Sequence, residues 1–176
     1  MSLLIFAYRR QEIIRRKNEM NFKLLALEKQ LMDLHSYSAS ISDNTVSLRD
    51  LMESPPSMFN RMSIFMVQSH QSADAGAREK FPYMQQMAMS TNPQFQDPKN
   101  AELKQQYEKS LYAYLYKQGR EEFGKREEKL LNQQDLKIQQ AKSKLETQVK
   151  MLDSEETKVA EQEDKAAEKS APKYVA

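Results

Sequence analysis

Leu131-Asn-Gln-Gln-Asp-Leu-Lys-Ile138-Gln-Gln-Ala-Lys-Ser-Lys-Leu145, continued by Leu152 and Val159, places an aliphatic residue at every seventh position. That period belongs to a helix laying a narrow apolar seam against another helix. Upstream, Asp97-Pro98 is a helix-start signal, with aspartate as N-cap and proline at the first helical position. No proline follows until Pro172. One long helix is therefore expected over residues 98–169, on the order of 100 Å at about 1.5 Å per residue. Gly119 and Gly124 mark a place for a bend, each costing about 1 kcal/mol against alanine. Three residues after the aliphatic series stand Gln134, Ala141, Gln148, Glu155 and Gln162. With the second seam position polar or small, this helix is expected to lean on a partner that supplies the rest of the seam.

A second helix of the same kind is expected over residues 1–36, which contain helix formers and neither Gly nor Pro. Phe6, Ile13, Met20, Leu27 and Leu34 recur at sevens, and the series continues to Ile41 and Leu48. Leu24 and Leu31 form a companion stripe that Arg10 and Lys17 interrupt nearer the start. The helix-pairing seam is thus read as Ile13, Met20, Leu24, Leu27, Leu31 and Leu34 on one helix and Leu131, Ile138, Leu145, Leu152 and Val159 on the other.

Residues 37–97 lie between them. Over 36–47 the density of Ser, Thr, Asp and Asn side chains, which compete for backbone hydrogen bonds, predicts a loop or fraying helix end. Ser47 and Asp50 have capping-box spacing for a short helix that Pro55-Pro56 ends, and Ser57 is placed to cap the next. That next helix, about residues 58–80, gathers Met58, Phe59, Met62, Phe65 and Met66 on one face, then thins to Ala73 and Ala77. Pro82 and Pro93 make residues 81–96 an extended connector. Tyr107 and the run Leu111-Tyr-Ala-Tyr114-Leu115-Tyr116 are read as helix because helix formers flank them, with the tyrosines surrounded on several sides. Met58, Phe59, Met62, Phe65, Met66, Tyr107, Leu111, Tyr114 and Leu115 are expected to meet in one Met- and Tyr-rich hub. Residues 170–176 are expected to be a flexible tail.

Composition narrows the function classes. The chain has 176 residues, no Cys, two His and only three Gly, with a net charge of +2. The glycine-rich loops that cradle phosphates need clustered glycines, which are missing. His35 and His70 are isolated, and without Cys no zinc or haem ligand set is recognisable. No cofactor, metal or small-molecule substrate is expected. The longest apolar run, residues 2–8, precedes its positive charges, the reverse of a secretory signal, and is too short to cross a bilayer. A cytoplasmic protein, or one within a large assembly, is expected.

Charge is divided between the ends. Residues 1–20 carry five cations against two acids, net +3, and residues 151–170 three cations against seven acids, net −4. These blocks can attract within one chain or between copies. Arg9, Arg10, Arg15, Arg16 and Lys17 also form a possible patch for an anionic partner, lipid or nucleic acid. The expectation is an all-α, elongated helical hairpin of coiled-coil type that acts without catalysis, as a scaffold or component of a larger complex, a virion included, by packing with itself or partner proteins. The alternative is a peripheral membrane- or nucleic-acid-associated adaptor using the apolar, Arg-rich N-terminus.

Overall fold

The computed structural model describes residues 3–41 and 46–170. The protein is all-α: α1 (Leu3–Ile41), α2 (Leu48–Glu53), α3 (Phe59–Thr91), two 3-10 turns (Pro93–Gln96 and Pro98–Asn100) and α4 (Ala101–Ser170). Among the described residues there is no strand. The chain divides into two compact units, one of Met1–Met32 with Asp135–Ala176, the other of Asp33–Gln134.

In the first unit α1 and α4 run antiparallel, as the ion pairs Arg9–Glu155, Lys17–Glu156 and Glu28–Lys142 show. Two helices cover each other on one side only. Ile13 and Val159 are buried there, while Met20, Leu24, Leu27, Ile138, Leu145 and Leu152 are half-buried.

The second unit holds two apolar clusters rather than the single hub expected. One gathers Leu34, Tyr37 and Ile41 of α1, Val46 just before α2, Met62 and Phe65 of α3 and Leu131 of α4, with Met58, Met66 and Phe123 packed around them. The other joins Ala77 to Leu111 and Leu115, with Phe81, Met84, Tyr112 and Tyr116 at its margin. The clusters separate because α3 narrows to Ser69, Ala73 and Ala77, all buried. There the backbones come close: a Cβ on Gly119 would stand 2.9 Å from Ala73 Cα. Gly119 thus serves packing, and α4 runs on through both it and Gly124. Beside it, Arg120 Nε and Nη2 are buried without a hydrogen-bond partner among the described residues.

This close approach reverses the usual effect of a helix glycine. Gly119→Ala is expected to destabilise by about 1–3 kcal/mol, since overpacking against backbone outweighs a propensity gain of about 1 kcal/mol. Gly76→Ala, whose Cβ would meet nothing within 4 Å, is expected to stabilise by about 0.5–1 kcal/mol. Thermal unfolding followed by circular dichroism reads both, and a shift of the same sign in the two variants would contradict the packing.

Several boundaries differ from the sequence reading. α1 ends at Ile41 rather than near residue 36. Its serines do not break it because Ser36 faces solvent and Ser40 bonds back to the Ser36 carbonyl at 3.1 Å, while Leu34, Tyr37 and Ile41 carry the buried face onward. Residues 42–45 of the expected loop lie outside the described residues. Ser47 and Asp50 form a reciprocal capping box on α2. Ser57 does not cap α3, whose N-cap is Met58; its hydroxyl donates instead to buried Asp33 at 2.5 Å.

The largest correction is at residues 81–91, which continue α3 instead of forming an extended connector. Pro82 removes one helical hydrogen bond, at about 3 kcal/mol in a helix interior. Contacts on either side offset this. Phe81 packs edge-on to Tyr112 at 5.9 Å, Met84 joins the same cluster, and Gln85 donates to Glu108 at 2.6 Å. At the start of the long helix, Asp97 caps the Lys99 amide, and Pro98 opens a 3-10 turn, so α4 begins at Ala101 rather than 98. α4 reaches Ser170; the remainder of the expected tail lies outside the described residues.

Candidate functional site

The surface of α1 in the first unit carries two lanes. The inner lane faces α4. Its interruptions, Arg10 and Lys17, stand where α4 offers carboxylates: Arg10 Nη1 reaches Glu163 Oε2 at 3.4 Å, and Lys17 Nζ reaches Glu156 at 2.8 Å and Asp153 at 2.9 Å. Glu28 accepts from Lys142 at 2.8 Å. Leu24 lies between Lys17 and Glu28, and Val149 between Lys142 and Glu156, so the register brings two aliphatic residues to one level.

These contacts widen the second seam position on α4. All the positions four residues after the aliphatic series, Asp135, Lys142, Val149, Glu156 and Glu163, are half-buried, whereas of those three residues after it Ala141 and Glu155 are half-buried and Gln134, Gln148 and Gln162 exposed. Reading three residues on misses the acids that answer Arg10 and Lys17. Each exposed pair contributes about 0–1 kcal/mol, so the apolar positions hold the helices together while the charges select antiparallel register. Hydrogen bonds to Glu156 and Asp153 hold the Lys17 ammonium above the usual lysine range.

The N-terminal cations are largely engaged. Arg9 pairs with Glu155 at 2.7 Å and Arg16 with Glu12 at 2.7 Å, besides Arg10 and Lys17. Arg15 makes no ion pair among the described residues.

The second lane of α1, which faces solvent, escapes the sequence reading. Leu4, Tyr8, Gln11, Arg15, Asn18, Phe22, Leu25, Lys29 and Met32 follow one another at spacings of four and three. Exposure runs from 64% at Leu25 to 77% at Leu4, with Tyr8 at 69%, Phe22 at 74% and Met32 at 65%. Ile14, Arg15, Asn18 and Phe22 line a shallow groove along it. The seven-residue period is present in the sequence, but Gln11, Arg15 and Asn18 dilute it at the centre.

In the second unit the expected hub residues divide. Met62, Phe65, Leu111 and Leu115 are buried and Met58 and Met66 pack at the margin, but Phe59, Tyr107 and Tyr114 are exposed. Tyr107 and Tyr114 are therefore not surrounded, whereas Tyr112 and Tyr116 pack against the second cluster; Tyr107 lies against Phe95 with ring centres 4.9 Å apart. Leu34 and Leu131, read as seam positions, belong to the first cluster.

That cluster contains a polar network. The hydroxyl of fully buried Tyr37 donates to Glu127 at 3.0 Å, and Glu127 also accepts from Arg61 Nε at 2.6 Å. Arg61 stacks over the Tyr37 ring at 5.4 Å and donates to Gln134 at 2.5 Å. Burial, then the charge and hydrogen bond of Glu127, push the Tyr37 hydroxyl well above its ordinary value, against an opposing effect of Arg61.

A folded Tyr37 keeps its proton at a pH where the unfolded chain releases it. Its contribution to stability is intact below about pH 10 and falls as pH rises beyond that. Tyrosinate absorbance of the eight tyrosines is expected to show a step that appears only with loss of helix signal, and Tyr37→Phe removes the step. Full ionisation with the helix signal unchanged would contradict the burial.

His35 and His70 are exposed, and His70 shares a hydrogen bond with the Tyr116 hydroxyl. Among the described residues no three or more His, Asp or Glu gather as a metal-binding group, and no helix is long and apolar enough to cross a membrane. The sequence matches no protein-family model, and searches of curated proteins and of solved structures return no match.

Proposed function

We propose that this chain is a non-enzymatic structural or assembly protein that works through coiled-coil-type packing of its long helices with partner proteins or further copies of itself. The observation that carries this reading is the second lane of α1. A helix that has already covered one seam keeps a second set of large apolar side chains, Leu4, Tyr8, Phe22, Leu25 and Met32, in solvent along one lane, with Gln11, Arg15, Asn18 and Lys29 at the positions between them. Large apolar side chains left exposed along one helix lane support an interaction site, and a lane of four-three positions fits another helix. In this reading the chain resides in the cytoplasm or within a large assembly.

The membrane or nucleic-acid adaptor reading has less support, because Arg9, Arg10, Arg16 and Lys17 already face carboxylates. Lysine-directed crosslinking in the producing cell tests the proposal. Lys29 in the open lane and Lys23 beside it are expected to form crosslinks to other polypeptides or other copies. A chain that yields intrachain crosslinks alone, and has the mass of a single copy at every concentration, is not an assembly protein.

A further inference from the structure

We draw no further inference here: the strongest candidate, the solvent-facing lane of α1 from Leu4 to Met32, mixes Arg15 and Lys29 with its exposed apolar side chains and has Glu12 and Glu19 beside it, and nothing in the structure shows what covers it.

Discussion

Phe65→Ala is expected to lower the stability of the Asp33–Gln134 unit by about 3–5 kcal/mol, the range for removing a buried aromatic ring from a packed core. Phe65 is 3% exposed and stands between two other rings, Tyr37 edge-on at 6.5 Å and Phe123 at 5.5 Å. Truncation removes its own burial, leaves a cavity among Leu34, Met62 and Leu131, and takes away two ring contacts worth about 0.5–1.5 kcal/mol each. Urea unfolding by circular dichroism measures the loss, with faster proteolysis in α3 as a second signal. Ile64, next in sequence but 55% exposed, is the control, and Ile64→Ala should stay within about 0.5 kcal/mol of the parent. A Phe65→Ala protein within about 1 kcal/mol of the parent would mean that the three rings do not form one core.

Glu127→Ala is expected to cost about 2–4 kcal/mol. Glu127 is the common acceptor for Tyr37 and Arg61, so its loss leaves a fully buried hydroxyl without a partner, a penalty of about 1–3 kcal/mol. It also strips Arg61 of its counter-charge. A fully buried ion pair broken in this way costs about 3–5 kcal/mol, and the smaller figure here reflects an Arg61 side chain that is 26% exposed. Glu127→Gln, which keeps an acceptor, should cost markedly less. Combining Glu127→Ala with Tyr37→Phe should recover part of the loss, since the donor left stranded is then absent; strict additivity of the two would show that they do not communicate.

The long helices and their aliphatic heptads are legible in the sequence because seven-residue periodicity survives wherever one face meets another helix. Two kinds of information are not. The first is which polar residues face inward. Ser36, Ser38 and Ser40 suggest a helix end, and only the placement of Tyr37 between Leu34 and Ile41 reveals that they flank a buried ring. Pro82 likewise reads as a terminator, since packing by Phe81 and Met84 has no local signature. The second is how two near-equivalent lanes share the charges. A lane three residues on and a lane four residues on differ by one position, and only the cations of α1 show that both carry charges, Arg9 meeting Glu155 and Arg10 and Lys17 meeting Glu163 and Glu156. The open lane of α1 was within reach of the same periodicity, but its polar centre hides it when apolar residues alone are counted.

The Met1–Met32 part of the first unit is grouped with Asp135–Ala176, and the whole second unit is translated in between. At about 5–20 residues per second, roughly 100 intervening residues leave the newborn α1 without α4 for some 5–20 s while the ribosome advances. For that interval both of its lanes are naked, and the nascent polypeptide offers chaperones or premature associates a greasy, arginine-bearing segment that the finished molecule half conceals. Synonymous codon choice between residues 33 and 134, which alters the delay without altering a single contact, should therefore change soluble yield.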